Sequence, residues 1–560
     1  MKAGKKMVEK PTDENASQPV TTNHPSAKEK MLRGSAWMTA GSVFSRILGA
    51  IYIIPWYTWL GKDSLAGNAL YTKGYTLYSV FLMISIAGIP SAVAKQVAHY
   101  NAQNEYAVGQ RLFKKSLLVM LAFGVIGATV MWLIAPLSFI SLGEKDVIPV
   151  FRSLAVALIV IPVMSLTRGF FQGYQDMFPS ALSQLIEQLV RIIYMLVTMY
   201  LIMQILHGNY QLAIIHSTLA AFVGALGGLS ILIWYYWRKH AELRALALQS
   251  AGKLQVKDSK IIYDMLAQSV PFVLIGASTT LYNQLDYFTF KPTLTRFSND
   301  SLRTINDLYA IFAGNDNKLI MIIVALASAM AATAVPLLSA AYTKKDQQGV
   351  ADQIADALEL FMIIMLPCSL GMAAVAKPLY IVFYQYNFTG IFVLSFSAYI
   401  ALPIGLFIVL SSLLQGIYQN KRAVQYFLVG FLIKLLVQVP LTICLKAFGP
   451  LLATGIGLMV SNILMLRYFY FACHLDLNRL LGRFNQILIF SLLTFLVALV
   501  VIFIASQMLD LEFRLISFVV LVLAAGLGAF VYLYCCLKSR LADQVIGRRV
   551  AGLRKILHIK

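Results

Sequence analysis

Charge is scarce in this chain: only 13% of its 560 residues are charged, against roughly 25% in a typical soluble domain. That scarcity excludes an ordinary cytosolic enzyme. Cysteine is scarcer still. The five residues, Cys368, Cys444, Cys473, Cys535 and Cys536, include no CxxC pair, which excludes a disulfide scaffold and leaves them as small apolar fillers. The seven histidines form no HxxH or HxxxH pair, so neither a metal site nor a cofactor is expected. The first 34 residues lack an apolar core. They do not read as a signal peptide, and the run beginning at Ala36 is expected to act as an uncleaved anchor.

Apolar residues are abundant, at 59% with a mean hydropathy of +0.73. A helix needs about 20 mostly apolar residues to cross the hydrocarbon core. Fourteen runs qualify: 36–60, 74–98, 112–140, 147–175, 179–206, 211–237, 263–290, 317–343, 353–376, 391–418, 423–447, 450–473, 484–507 and 515–537. They are too long for barrel strands and do not alternate, so they read as helices. The stretch 378–390 reads as an outer loop or half-helix, and 291–316, the longest outer segment, as a solvated loop.

The net charge of +21 needs no nucleic-acid partner, because topology explains it. With the N-terminus inside, the inner segments hold 32 of the 46 basic residues, the outer segments 11, and the spans only Arg46, Arg191 and Lys434. This asymmetry predicts cytoplasmic termini and a multi-pass protein of the cell membrane. The C-terminal tail carries seven basic residues and one acid, which suits contact with anionic lipid.

The two halves resemble each other. Phe170-Phe171-Gln172-Gly173 recurs as Leu413-Leu414-Gln415-Gly416, and Arg191 meets Lys434, both at an offset of 243. Pro90 meets Pro336 at 246, and His99-Tyr100-Asn101 falls near Ala341-Tyr342-Thr343 at 242. Six spans separate each pair, so the repeat is parallel, with an axis along the membrane normal. The expected division is a cytoplasmic polar tail (1–34), an N-lobe of six spans (35–237) and a basic cytoplasmic linker (238–262). A C-lobe of six spans (263–473), two added helices (474–537) and a basic cytoplasmic tail (538–560) complete it.

The three intramembrane cations sit ten to twelve residues into their spans, close to the midplane. A cation at that depth is costly unless it faces a cavity or a partner. They suggest a cationic cavity for an anionic substrate. The competing reading is structural pairing: Glu187 precedes Arg191 by four residues and could neutralise it along one helix face. Asp286 lies in the polar patch Tyr282-Asn283-Gln284-Leu285-Asp286. It is a candidate either for a coupling ion, proton or sodium, or for a partner of Lys318. Asp264 and Glu359 read as solvated groups near inner ends.

Arg168-Gly169-Phe170-Phe171-Gln172-Gly173-Tyr174-Gln175, with Met177, Pro179, Ser183-Gln184 and Glu187-Gln188, resembles the polysaccharide-export and sporulation-protein-B-like branch of the MOP exporter superfamily. Ile86-Ala87-Gly88-Ile89-Pro90-Ser91-Ala92-Val93-Ala94-Lys95 strengthens this. Phe44-Ser45-Arg46-Ile47-Leu48-Gly49 and Phe383-Tyr384-Gln385-Tyr386-Asn387-Phe388-Thr389 resemble segments of the MurJ lipid II flippases, Gram-positive type. The resemblance covers roughly residues 31 to 540. It implies an all-α, V-shaped exporter of about fourteen helices working by alternating access. Its implied substrate is lipid II, and its last two spans would form a groove for the lipid tail. Arg46 matches the arginine of the Phe-Ser-Arg motif, and Lys318 matches one early in span 8. Tyr52 and Leu82 stand where the family has two further arginines, so the cationic cavity is expected to be rebuilt with Arg191, Lys434 or Lys73.

The expected function is therefore flipping of an undecaprenyl-diphosphate-linked cell-wall precursor, most simply lipid II, in peptidoglycan biosynthesis and without covalent chemistry. A monomer suffices for it. Three alternatives stand beside it. The first is a flippase for another lipid-linked oligosaccharide, such as a teichoic-acid, capsule or O-unit precursor. The others are a multidrug/cation antiporter and a membrane glycan ligase or polymerase.

Overall fold

The structure is a computed structural model that describes residues 48–49, 51–86, 89–142, 145–250, 273–343, 345–475 and 477–541. Among these residues there is no strand. Arg46, Asp264, most of span 1 and both tails fall outside the described residues.

The N-lobe comprises α1 (Ile53–Leu60), α2 (Ser64–Ile86), α3 (Ile89–Ala102), α4 (Tyr106–Leu142), α5 (Val147–Gly173), α6 (Phe178–Tyr200) and α7 (Tyr210–Leu248). The C-lobe comprises α8 (Ser278–Phe297), α9 (Leu302–Tyr309), α10 (Asn317–Thr343), α11 (Gln347–Ala374), α12 (Ala376–Tyr384), α13 (Phe388–Gly416), α14 (Asn420–Leu445) and α15 (Phe448–Cys473). Two further helices, α16 (Leu477–Met508) and α17 (Arg514–Lys538), follow. π-Helical turns extend α6 through Leu201–Ile205 and join α9 to α10 through Ala310–Asp316. We call the end of the bundle where α7 finishes at Leu248 proximal and the opposite end distal.

Side-chain caps begin several helices where the sequence supplies an Asn, Ser or Asp. Asn209 caps α7, Ser301 α9, Asp346 α11 and Asn387 α13, each accepting from a backbone N–H two or three residues on. Burial follows position in each lobe. In α5 and α13, 67% of the most apolar stretch is buried within the protein, against 22% in α4 and α14. Thus α5 and α13 are the lobe centres, while α4 and α14 turn leucine and isoleucine outward, as lipid-facing helices do.

The repeat is visible in atomic detail. The N–H of Gln175 bonds the carbonyl of Gln172, and that of Asp176 bonds Phe171. At an offset of 243, Tyr418 bonds Gln415 and Gln419 bonds Leu414. Gln175 and Tyr418 both have φ of 61°. Just before these turns, a Cβ on Gly173 would meet Val97 at 2.6 Å, and one on Gly416 would meet Leu338 at 3.3 Å. The Gln-Gly pair thus closes the central helix of each lobe against the corresponding helix, α3 or α10.

Among the described residues, eleven helices are long and apolar enough to span a membrane. The other three of the fourteen expected spans, 1, 2 and 7, fall partly outside the described residues. In span 2 the first described helix is α2, which begins at Ser64, and residues 87–88 lie outside the described residues. In span 7 residues 263–272 lie outside the described residues, and the described helix is α8. The segment 291–316 is not a solvated loop: α8 runs through it to Phe297, and α9 and its π-turn fill the rest. Thr295, Arg296, Asn299, Ser301, Arg303 and Thr304 are exposed there, whereas Asn315 and Asp316 are buried. The half-helix alternative for 378–390 is the one realised, as α12. Glu359 is buried and pairs with Arg483 of α16 instead of being solvated. That pair, together with the Tyr532 hydroxyl donating to the Ile363 carbonyl at 2.7 Å, holds α16 and α17 against α11. All five cysteines are free thiols, with Cys536 buried and Cys444 exposed.

Candidate substrate chamber and distal gate

Two of the predicted cations meet at one tyrosine cage between the lobes, which we call the chamber. Arg191, midway along α6, donates to the hydroxyl of Tyr75 and, at 3.4 Å, to that of Tyr71. Its guanidinium carbon lies 5.1 Å from the Tyr75 ring centroid. Lys318, at the start of α10 in the other lobe, places its Nζ 5.0 Å from the Tyr71 centroid and 5.3 Å from that of Trp56. It donates to Asn68 Oδ1 at 2.8 Å. Tyr71 is common to both, and it stacks on Tyr75 with centroids 5.0 Å apart. Rings of this kind stabilise a cation by roughly 0.5–2 kcal/mol each while leaving its charge uncompensated. Among the described residues neither cation has a carboxylate partner. A polyanion reaching this cage meets two cations that no described carboxylate pairs with.

The expected Glu187–Arg191 pairing does not form. Glu187 accepts from Arg168 at 2.7 Å, and Arg168 also donates to Ser183 at 2.9 Å. Ser183 in turn donates to the Gly228 carbonyl at 2.9 Å. Arg168, from the sequence motif, therefore joins α5, α6 and α7 near the proximal end and removes Glu187 from the chamber. Gln172 and Gln415 are half-buried beside their turn glycines.

Lys434 occupies the position of Arg191 in the repeat but has a different environment. Gly224 packs on Arg191, and Gly457 packs on Lys434, in each case where a Cβ would come within 3.1 Å of that residue's own. Lys434 is fully buried, however, and donates to Asp286 Oδ1 at 2.8 Å, the Tyr282 carbonyl at 2.9 Å and Thr454 Oγ1 at 2.8 Å. An ammonium has three donors, and all are committed. Lys434 thus leaves the set of head-group contacts. Asp286 pairs with Lys434 and accepts from Gln438 at 2.8 Å, not with Lys318. Asn283, on the same helix, is exposed.

The remaining candidates form a distal gate that ties the lobes together. Lys73 is buried and donates to Asn306 Oδ1 at 2.9 Å. Gln284 donates to the Thr76 carbonyl, and Thr76 and Tyr309 hydroxyls lie 3.4 Å apart. At the centre, Asn68 donates to Asn315 Oδ1 at 2.6 Å while it accepts from Lys318. Asn315 donates to Tyr57 at 3.3 Å and Tyr380 at 2.8 Å, and its carbonyl accepts from Tyr384 at 3.0 Å. Gly314 allows this approach, since a Cβ there would meet Asn68 Nδ2 at 2.5 Å and Thr72 Oγ1 at 2.8 Å. Above the gate is an open distal cleft of about 920 Å³, with Lys62, Arg296 and Arg303 among its lining residues.

Sequence reasoning missed Asn68, Asn315 and the tyrosines of the cage and gate. A usable signal was present: Asn68 stands alone among small apolar neighbours, and Gly314-Asn315-Asp316 directly precedes span 8.

A polytopic helical bundle with two parallel-repeat lobes, a charged chamber between them and a closure at one end is a transporter of the two-lobed MOP type. Solved structures share this fold. A lipid II flippase MurJ in an inward closed conformation aligns with TM-score 0.61 at 12% identity, over 91% of this chain and 99% of that one. A MATE protein in complex with MaL6 aligns with TM-score 0.60 at 15% identity, over 80% and 96%. The family described as polysaccharide biosynthesis protein matches residues 31–342, and that described as lipid II flippase MurJ matches residues 315–542. The lipid II flippase MurJ of Bacillus subtilis (strain 168) is 33% identical over 93% of this chain and 98% of its own length. The chain belongs to the MurJ family.

Proposed function

We propose that this protein flips lipid II from the inner to the outer leaflet of the cell membrane by alternating access. The observation that carries the reading is the shared chamber of Arg191 and Lys318, two uncompensated cations contributed by opposite lobes. A diphosphate can bridge them, and the pyrophosphate of a polyprenyl-linked sugar is such a group. Its head cannot cross hydrocarbon unaided, whereas its prenyl tail can remain in lipid while the head passes between the lobes. Transport makes and breaks no covalent bond.

The excess of basic residues in the linker, tails and proximal loops supports a cytoplasmic proximal end with both termini inside, and the Bacillus relative supports a Gram-positive cell membrane. The closed distal gate then corresponds to an inward-facing state. The tails suit anionic lipid, and α16 and α17, packed on the C-lobe, suit the lipid tail. Lys73 acts at the gate. Arg46 belongs to the proposed head-group set by its motif.

A second reading, another undecaprenyl-diphosphate-linked oligosaccharide, rests on the same chamber, because the diphosphate is common to both. Conditional depletion with lipid-precursor analysis separates them. Accumulation of lipid II is expected, and accumulation of a different undecaprenyl-linked species alone would replace the substrate.

A further inference from the structure

The distal gate contains a carboxyl group that the head-group chemistry does not use. Asp316 closes the π-turn before α10 and is fully buried. Neither of its carboxyl oxygens has a hydrogen-bond partner. The donors nearby are committed elsewhere: Asn315 gives its amide to Tyr57 and Tyr380, and Lys318 gives its ammonium to Asn68. We propose that Asp316 is a proton-binding residue, protonated when the distal gate is closed and ionised when it opens. The inference rests on the flippase reading for its role in transport, but not for its effect on the gate.

The physical argument is desolvation. An isolated carboxylate taken from water into a site with no donor and no cation is so unfavourable that the group takes up a proton instead. Tyr380 and Tyr384 of α12 lie beside it and are neutral hydroxyls. From α2, Lys73 bonds Asn306 while Tyr71 and Tyr75 face Arg191. From α9, Tyr309 turns to Thr76, and Arg303 and Asp307 line the distal cleft. The only titratable side chain of α13 is Tyr399, which is exposed. No cation is left to hold Asp316 ionised among the described residues.

The π-turn is part of the closure. Its Gly314 and Asn315 make the contact with Asn68 of the other lobe. Separation of the lobes at this contact admits distal water to the next residue, and ionisation becomes favourable. Closure reverses this: the proton comes from the distal water, binds one carboxyl oxygen and allows the acid to be buried. With the distal side outside, an acidic exterior favours return of the empty carrier to the inward-facing state. The sign follows from linkage: the closed-state proton affinity exceeds that of the open state, so protons favour closure, and each pH unit of rise multiplies the open-to-closed ratio by up to about tenfold.

The test uses the full chain in liposomes, with distance labels at Lys62 and Arg296, which line the distal cleft from opposite lobes. Without substrate, the unsubstituted protein is expected to open distally as pH rises. Asp316→Asn and Asp316→Leu are expected to stay closed with a flat profile. Thermal stability of Asp316→Asn at neutral pH is expected to equal or exceed that of the parent, because the neutral amide replaces a neutral acid. A flat profile in the parent overturns the proposal. So does an unchanged titration in either variant, or a gate that follows sodium at fixed pH. Lipid II flipping is assayed in the same vesicles. Absent flipping with an intact gate titration removes the transport reading and leaves the Asp316 assignment standing.

Discussion

Replacing Lys434 with methionine gives the sharpest energetic test of the site's division into a chamber and a structural core. The Lys434 ammonium and the Asp286 carboxylate are 2.8 Å apart, with the lysine fully buried. Removing the cation leaves Asp286 with only the 2.8 Å hydrogen bond from Gln438. Breaking one side of a buried pair costs roughly 3–5 kcal/mol, whereas replacing both partners by apolar residues of similar volume is often neutral or stabilising. Lys434→Met alone should therefore lose about 3–5 kcal/mol in a reversible unfolding assay in detergent. Lys434→Met with Asp286→Leu should recover most of that loss. The double variant should also retain lipid II flipping, because the pair makes no contact with the chamber. Additive losses in the two single variants would refute the energetic argument. A stable double variant that cannot flip lipid II would return Lys434 to the transport machinery.

Lys318→Glu should slow flipping about tenfold or more, since it replaces a charge-assisted contact to the diphosphate with repulsion; an unchanged rate in vesicles would remove Lys318 from the site. Gly457→Ala should cost about 1–3 kcal/mol through overpacking, because its Cβ would meet the Gly430 carbonyl oxygen at 2.6 Å and neither backbone can yield; normal thermal stability would contradict the close crossing of α14 and α15. Gly314→Ala should shift the distal gate toward its open form, read as a longer distance between labels at Lys62 and Arg296. In the distal loop, the hydrogen bond from Lys446 holds the Asp300 carboxyl below its usual range. The loop tie is therefore intact at neutral pH and is lost as pH falls through the lowered folded-state value. Hydrogen exchange at residues 298–301 should rise in acid, and Lys446→Met should abolish that pH dependence.

Much of the fold was legible because membrane physics writes it in simple terms. Long apolar runs give helices, loop charge gives an expected orientation, and the recurring Gln-Gly pair marks equivalent helix ends, now seen as turns with matching hydrogen bonds. The cations were legible as anomalies in apolar surroundings, but their partners were not. Glu187 is one helical turn from Arg191, yet it reaches across to Arg168 on α5. Sequence spacing describes neighbours along one helix, whereas the choice among partners is made by helices packed from elsewhere in the chain. The gate was hidden for a related reason. Segment 291–316 is polar enough to read as a solvated loop, but it is largely helical, and its Asn306 and Asn315 bond Lys73 and Asn68 of the other lobe. Tyr71 and Tyr75, which build the cage around the two cations, are uncharged and do not stand out in the sequence as the cations do.

The most direct measurement is lipid II translocation in vesicles containing this protein as their only protein, with lipid II initially restricted to the leaflet on the proximal side. The intact chain should move the head group to the distal leaflet, and the Arg191→Ala, Lys318→Ala double variant should not, while its folding and distal-gate closure remain measurable. Equal translocation by both proteins, or none by the intact chain under proton and potential gradients of either sign, would contradict the assignment of the chamber to lipid II.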